Sequence, residues 1–126
     1  MFFKKQFYLI SLLLLSFFIS CKPSSSLPDP LTAGWKGKKV CELLEENKSQ
    51  RILKCTFAPG IGHERHFHLP HFGYTLAGST FKIKDTTGTR EIKLETGSYF
   101  NNNGTEWHEV LNIGDRTAIF LIIEPK

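Results

Sequence analysis

Gly60-Ile-Gly-His63-Glu-Arg-His66-Phe-His68-Leu-Pro-His71 is the stretch of this 126-residue chain that holds four of its five histidines. The fifth, His108, follows a second glycine-containing turn. In an extended strand, residues i and i+2 project from the same face. His66 and His68 can therefore direct both imidazoles at one ion, and histidine is the commonest metal ligand in proteins. The pattern predicts a metal site built on a β-strand.

From Trp35 onward, short strand-forming runs alternate with turn signals. Apolar and polar residues alternate in residues 78–84 and again in 91–95, which predicts two strands. Residues 117–123 are rich in β-branched side chains and predict a strand buried in the core. Because no segment has a convincing amphipathic helical pattern, we expect an all-β sandwich or barrel. Clusters of turn-forming residues occur at 46–49, 85–89, 95–98, 101–104 and 112–115.

The spacing of glycines and histidines resembles the two motifs of the cupin family. The first motif is matched by Gly60, His66-Phe-His68, His71 and Gly78, and the second by Gly97, His108 and Asn112. The end of the second motif, His108-Glu-Val-Leu-Asn112-Ile-Gly114-Asp115, is similar to that of small single-domain cupins grouped with a β-alanine degradation protein. The resemblance spans residues 38–126 and implies one double-stranded β-helix, the jelly-roll barrel of cupins.

The resemblance also implies one divalent metal held by four side chains: His66, His68, His71 and His108. His71 stands where the family has a glutamate, and it is closer to His68 than usual. His63 is out of step with the His66/His68 pair, so we expect it, like the carboxylate of Glu64, to support the ligands from outside. Imidazole ligands suit Fe, Ni, Cu, Zn or Mn without choosing among them.

Aromatic side chains are numerous enough to wall a pocket beside such an ion, although each is also explained by ordinary barrel packing. Tyr74 and Tyr99 carry hydroxyl groups, and they are our candidates for proton transfer. The aromatic residues in question are Phe72, Tyr74, Phe81, Tyr99, Phe100 and Trp107.

The first twenty residues predict an export signal, with two lysines followed by an almost unbroken apolar run. Phe18-Ile-Ser-Cys21 resembles the lipobox of bacterial lipoproteins, in which the cysteine is acylated after cleavage. Residues 21–37 then predict a flexible, proline-containing tether, and residues 38–126 the folded domain. We expect a lipid-anchored protein of the cell envelope, at the outer membrane because Lys22 follows the cysteine. A plain secretory peptide cleaved nearby remains the alternative.

The charge of the mature chain argues against one class of partner. Loss of Lys4 and Lys5 with the signal leaves 14 basic and 12 acidic residues, which is close to neutral. The basic residues are scattered, so we exclude a nucleic-acid partner. We expect the membrane and an unidentified small molecule as partners, and a homodimer stays open.

Two further cysteines, Cys41 and Cys55, flank a hairpin centred on Lys48. Such a hairpin places the two residues opposite each other, close enough for a disulfide. An exported protein meets an oxidising compartment, where the bond would persist. A disulfide and two buried free thiols both fit the sequence.

Three functions follow from the sequence. The first is a metal-dependent enzyme, most simply a small-molecule dioxygenase, with isomerase chemistry as a variant. The second is a module that binds a small ligand or a metal at the envelope without catalysis. The third is a structural lipoprotein with a stabilising or decayed site. A fold does not choose among these functions, because function depends on the site.

Overall fold

The structure, a computed structural model, describes residues 27–126, which form eleven strands and no helix. The described residues therefore contain no helix that could cross a membrane. The predicted signal, residues 1–20, and the predicted acylation site Cys21 lie outside the described residues. The strands are β1 (Gly34–Trp35), β2 (Lys38–Lys39), β3 (Cys41–Glu46), β4 (Gln50–Phe57), β5 (Gly62–His68), β6 (His71–Ala77), β7 (Ser79–Asp85), β8 (Gly88–Leu94), β9 (Tyr99–Asn102), β10 (Thr105–Asn112) and β11 (Ala118–Pro125).

Two antiparallel sheets form the barrel. The four-stranded sheet has the order β5-β10-β7-β8, and the five-stranded sheet has the order β3-β4-β11-β6-β9. Because neighbours in each sheet are often distant in sequence, the chain crosses repeatedly between the sheets, as a jelly roll requires. The all-β fold predicted from the sequence is confirmed.

Phenylalanines from both sheets pack together in the core. Phe57 on β4, Phe81 on β7 and Phe120 on β11 have ring centroids 5.4 to 6.0 Å apart and meet edge to face. Phe120 alternates with Ala118 and Ile122 on the buried face of β11. The strand predicted from the β-branched run at the carboxyl end is therefore a central core strand. The aromatic cluster fills the barrel beside the histidines, since Phe57 also contacts the His63 ring.

Strands β3 and β4 form the predicted hairpin at the edge of the five-stranded sheet. Cys41 and Cys55 lie directly opposite each other in the register of this hairpin. The structure joins them in a disulfide. Of the two alternatives that the sequence left open, the structure contains the bridge.

The segment before β2 is folded onto the barrel. The carbonyl of Pro28 accepts a hydrogen bond from the backbone N–H of Phe67 at 3.2 Å, and the carboxylate of Asp29 accepts one from Arg51 at 2.9 Å. Ala33 is buried in the core. Residues 28–37 thus pack as part of the domain, which differs from the tether boundary predicted at residue 38. Specific hydrogen bonds to β4 and β5, which composition does not reveal, hold this segment in place.

Asn112, the last residue of the second cupin-like motif, is fully buried and ties together the turn after β10. Its Nδ2 donates to the carbonyls of Phe57 at 2.8 Å and Arg116 at 2.7 Å. Its Oδ1 accepts from the Ser79 hydroxyl at 2.8 Å and the Gly114 N–H at 3.0 Å. A buried amide with all these partners is a structural residue that fixes the end of the histidine-bearing strand.

Candidate metal centre

Three histidines from two adjacent strands converge inside the barrel. His66 and His68 are alternate residues on β5, so both side chains point inward. Strand β10 pairs with β5 in an antiparallel register that places His108 opposite His66. The sheet register therefore brings together residues that are forty-two positions apart in sequence.

The three ring nitrogens lie close enough to share one ion. Nε2 of His66 is 3.0 Å from Nε2 of His68 and 3.0 Å from Nε2 of His108. All three ligand atoms lie within 4.8 Å of one another. His66 is fully buried at the centre of this group. Two imidazole nitrogens bound about 2.1 Å from one ion are separated by about 3.0 to 3.4 Å, so the two 3.0 Å pairs fit a shared metal.

Hydrogen bonds on the far side of the rings favour lone pairs that point at the shared centre. Nδ1 of His66 donates to the backbone carbonyl of Glu64 at 2.6 Å, so its Nε2 carries no hydrogen in the neutral ring. Nδ1 of His68 lies 3.5 Å from a carboxylate oxygen of Glu124, whose charge favours a hydrogen on that nitrogen. Two lone pairs then face each other 3.0 Å apart, an arrangement that a cation stabilises. The residues present fit a divalent metal.

The protonation of these histidines also suits metal binding. Burial, and then the neighbouring histidines, lower the pKa of His66 to about 2 and that of His108 to about 3. Both rings are therefore neutral near pH 7, and a neutral imidazole has the lone pair that a metal ligand needs. No proton has to be removed from them before an ion binds.

His71 lies beside the three-histidine group and does not belong to it. Its ring centroid is 4.5 Å from that of His68, and its Nδ1 donates to the carbonyl of Leu69 at 2.8 Å. Burial lowers its pKa, so its Nε2 is a free base near neutral pH. His71 lines the same cavity, but the close-packed set is three histidines, one fewer than the predicted four.

His63 is buried, and its ring packs against that of His66. The two ring centroids are 3.8 Å apart, and burial lowers the pKa of His63 to about 4. Its Nε2–H is shared between the carbonyl of Pro30 at 3.1 Å and that of Ala33 at 3.3 Å. His63 thus contacts the His66 ring and anchors the amino-terminal segment. That His63 supports the metal ligands stays a prediction.

Glu64 supports the site through its backbone and not through its carboxylate. Its carbonyl oxygen accepts the hydrogen bond from His66, as described above. Its side-chain carboxylate accepts a hydrogen bond from the backbone N–H of Lys36 at 2.9 Å. The pairing of β5 with β10 has a bulge between His63 and His66, which interrupts the alternation, so the exposed Glu64 side chain points away from the ligands. The residue predicted to support the site does contact a ligand, but through its backbone carbonyl and not through the predicted carboxylate.

The two tyrosines proposed for proton transfer lie on the outer face of the five-stranded sheet. Tyr74 and Tyr99 are opposite each other on β6 and β9, and 38% and 69% of their surfaces are exposed. The Tyr99 ring stacks on Phe72, also on that outer face. Tyr74 follows His71 by three residues, an odd number, so the pleat directs the two side chains to opposite faces. The assignment of Tyr74 and Tyr99 to the pocket was wrong.

A small, mostly apolar cavity of about 110 Å³ adjoins the histidines. Of the six aromatic residues predicted as walls, Phe81 lines it, together with Phe57 and Phe120. Trp107 instead packs against the Arg65 guanidinium, 3.9 Å from the ring centroid. The lining residues are Cys55, Phe57, His63, His66, His68, His71, Phe81, Ile83, Leu94, His108, Val110, Phe120 and Ile122.

One residue near the site was missed by sequence reasoning. Glu124 on β11 is 1% exposed, forms an ion pair with Arg51, and approaches His68. Arg51 in turn binds Asp29 of the amino-terminal segment. The signal was present: Glu124 continues the inward alternation of β11, and a carboxylate at an inward position needs a partner. Its partners could not be identified, because they lie far away in sequence.

Comparisons with solved structures place this architecture among cupin domains. A cupin domain from Bordetella pertussis Tohama I has 19% sequence identity and a TM-score of 0.65, covering 69% of this chain and 92% of that one. The polyketide cyclase RemF from Streptomyces resistomycificus has 19% identity and a TM-score of 0.56, covering 68% of this chain and 63% of that one. A predicted oxalate decarboxylase from Thermotoga maritima has 18% identity and a TM-score of 0.52, covering 68% and 79%.

Protein-family models and curated proteins give no match. The structural likeness is thus at low sequence identity, and it concerns the fold. The two facing antiparallel sheets and the inward histidines agree with that likeness. The chain has the jelly-roll fold of a cupin domain.

Proposed function

We propose that this domain binds one divalent transition metal through His66, His68 and His108. The observation that carries the proposal is the convergence of three Nε2 atoms, from two buried histidines and one half-buried histidine, with two pairs of these atoms 3.0 Å apart. Histidine pKa values held below neutrality support it, because the site needs no deprotonation. His71 is our candidate for a fourth ligand, reached by rotation of a ring already beside His68. All-imidazole ligation suits Fe, Ni, Cu or Zn, whereas Mn prefers oxygen ligands.

An ion held by three histidines keeps open positions, and there it supplies Lewis acidity to a bound small molecule. The adjoining cavity of about 110 Å³ is well below the range of roughly 300 to 1,000 Å³ for drug-sized ligands. We therefore propose a ligand of only a few non-hydrogen atoms. As an enzyme, the protein would be a metal-dependent oxygenase acting on such a molecule, with His71 as the available base.

A non-catalytic metal or ligand-binding module is the alternative. Its support is the chemistry of the cavity wall, where no carboxylate and no hydroxyl group is found among the described lining residues. Catalysis of proton transfer requires such a group or a histidine that is not a ligand. If His71 binds the metal, His63 is the remaining histidine of the wall, and its Nε2–H is already engaged by the carbonyls of Pro30 and Ala33. The kinship to small cupins grouped with a β-alanine degradation protein is likewise a proposal, based on the sequence motif alone.

Metal analysis of the purified full chain tests the main proposal. After reloading with each divalent ion and desalting, we expect about one metal per chain, because a preorganised histidine set retains its ion. His66→Ala should reduce this to less than about a tenth. Arg65→Ala is the matched control, because Arg65 is an exposed residue of the same strand, and it should keep the metal. Equal losses in both variants, or no metal in the unchanged chain, would reject the site.

Oxygen consumption by the loaded protein then separates the two alternatives. A panel of small carboxylic acids and diketones is offered to the unchanged protein and to His71→Gln. Turnover by the unchanged protein supports the enzyme, and its loss in His71→Gln with metal retained assigns the base. Metal binding without turnover across the panel supports the binding module.

We further propose that Cys21 is acylated and anchors the domain to the bacterial envelope, at the outer membrane. The sequence of the first 21 residues supports this, and so does the Cys41–Cys55 disulfide, which suits an oxidising compartment. Cell fractionation after labelling with a radioactive fatty acid tests the idea. The label should be in the membrane fraction and should vanish in Cys21→Ala. A labelled Cys21→Ala variant, or an unlabelled parent protein, contradicts the anchor.

A further inference from the structure

Glu124 is a buried carboxylate at a position where the barrel otherwise places apolar side chains. On β11 the inward residues are Ala118, Phe120, Ile122 and then Glu124, which is 1% exposed. Burying a carboxylate is costly unless hydrogen bonds and a counter-charge compensate. The position therefore calls for an explanation beyond core packing.

The Glu124 carboxylate lies between a cation and a proposed ligand. Arg51, its direct partner in the register of β4 and β11, donates from Nε to Oε2. The other oxygen, Oε1, lies 3.5 Å from Nδ1 of His68. Arg51 also donates from Nη1 to Asp29 at 2.9 Å. These contacts form a continuous network, from Asp29 through Arg51 and Glu124 to His68, that links the amino-terminal segment to the metal site.

The two atoms that face each other at the Glu124–His68 contact have no other hydrogen-bond partner. Among the described residues, Oε1 of Glu124 and Nδ1 of His68 are both buried without a standard hydrogen bond. An ionised carboxylate can only accept, so the pairing is made when Nδ1 of His68 carries the hydrogen. In a neutral imidazole the lone pair is then on Nε2, the atom that faces His66. A small movement of either side chain completes the bond.

We propose that Glu124 is a positioning residue of the metal site, which holds His68 in the tautomer and orientation that present Nε2 to the ion. Arg51 holds the carboxylate, and Asp29 holds Arg51. The inference rests on the proposed metal-binding function. Outer partners of this kind commonly contribute 10- to 100-fold in metal affinity.

Two other roles for Glu124 are less compatible with the geometry. As a metal ligand it would need an oxygen near the converging nitrogens, but it is absent from the group of atoms within 4.8 Å of one another. As a purely structural ion pair with Arg51, it would need only Oε2. Neither role explains why Oε1 is buried against a histidine nitrogen that is also without a partner.

Nitrogen NMR of the metal-free, ¹⁵N-histidine-labelled protein tests the tautomer directly. The His68 resonances, assigned by their loss in His68→Ala, should report a hydrogen on Nδ1. Glu124→Gln retains the size and the acceptor for Arg51, but its amide donates to Nδ1 and moves the hydrogen to Nε2. Metal affinity, measured by competition with a chelator of known affinity, should fall by about 10- to 100-fold.

Glu42→Gln is the matched control, because Glu42 forms an exposed ion pair with Lys54 on the same sheet. It should change neither the tautomer nor the affinity. If Glu124→Gln fails to fold, as circular dichroism would show, Asp29→Asn replaces it. That variant removes the negative charge opposite Nη1 of Arg51 and so holds the guanidinium less firmly, and we expect a several-fold loss of affinity.

The outcomes for the two proposals are separable. A hydrogen on Nε2 of His68 in the unchanged protein, or the same tautomer and affinity in Glu124→Gln, overturns the role of Glu124. An unchanged metal affinity in Asp29→Asn overturns the role of the Asp29–Arg51 contact in the network. Absence of metal binding in the unchanged protein rejects the proposed function instead, and the tautomer comparison still decides whether Glu124 orients His68.

Discussion

The two sheets of the barrel contribute different parts of the candidate metal site. The four-stranded sheet supplies the converging nitrogens, from His66 and His68 on β5 and His108 on β10. The five-stranded sheet supplies the supporting charges, Glu124 on β11 and Arg51 on β4. Ligands can be concentrated on neighbouring strands, whereas the charged group proposed to orient His68 comes from the opposite wall. The histidine ligands are visible in a short sequence motif, whereas the supporting charges can be identified only in the folded barrel.

The largest effect should come from the four-stranded sheet. His108→Ala removes one of three ligands, and we expect metal content to fall from about one per chain to less than about a tenth. Glu124→Gln, on the opposite sheet, should weaken binding without abolishing it. Plasma emission analysis and chelator competition measure both effects. If the two substitutions cost the same affinity, the division of roles between the sheets is wrong.

Acid should destabilise the metal-free protein by protonating histidines of the four-stranded sheet. His63, His66 and His108 have pKa values of about 4, 2 and 3 in the folded chain, below the ordinary 6.5. As the pH falls below 6.5, the unfolded chain binds protons that the folded chain does not, so the free energy of unfolding decreases. Each histidine contributes about 1.4 kcal/mol per pH unit, or about 4 kcal/mol per unit for the three.

Urea denaturation at pH 7, 6 and 5 after chelation measures this decrease. Working at pH 5 and above separates the histidines from Asp29 and Glu124, whose lowered carboxyl pKa values affect stability mainly at lower pH. A constant free energy of unfolding between pH 7 and pH 5 would show that the buried histidines ionise normally.

The disulfide should affect the five-stranded sheet and leave the ligands alone. Replacing both Cys41 and Cys55 with alanine removes a link that closes a loop with a sequence separation of 14. A loop of that size is worth about 3 kcal/mol in the free energy of unfolding. Denaturation curves should show this loss, while metal content at 25 °C stays near one per chain. Loss of metal in a variant that is still folded would mean that the two sheets are more tightly coupled than their contacts indicate.

The smallest effect should come from the outer face of the five-stranded sheet. Tyr74→Phe and Tyr99→Phe remove hydroxyl groups that lie outside the barrel. We expect unchanged metal affinity and a change in unfolding free energy within about 0.5 kcal/mol. The same titrations and denaturation curves serve as the measurement. A marked loss of metal affinity in either variant would show that the tyrosine contributes to the metal site after all.

Much of the fold could be predicted, because the relevant signals are local. Alternation along residues 78–84, the β-branched run of β11 and the turn clusters each depend on neighbours in sequence. The packing of residues 28–37 onto the barrel could not be predicted, because it depends on contacts such as Asp29 with Arg51. A polar, proline-containing stretch has the same composition whether it is bound or free.

Prediction of the site followed the same division. His66 and His68 were assigned from a spacing of two, which directs both to one face of any strand. Tyr74 was misplaced although its odd spacing from His71 already directs the two side chains to opposite faces, and Tyr99 was misplaced because only its pairing with Tyr74 shows which face of β9 it occupies. Glu64 was assigned to the site by residue type, yet its carboxylate turns outward and its carbonyl holds His66. Residue type and spacing identify candidates, and the direction of each side chain separates them.

The sequence by itself determined that this is an all-β chain with paired histidines on one strand, because strand propensity and the two-residue pleat are local properties. The tertiary structure decided which histidines meet, through the register of β5 and β10. It also decided that Glu124 and Arg51 reach the site from the other sheet, and that His71 stands beside the trio. Closure of the barrel brings together residues separated by tens of positions, and no local pattern encodes those distances.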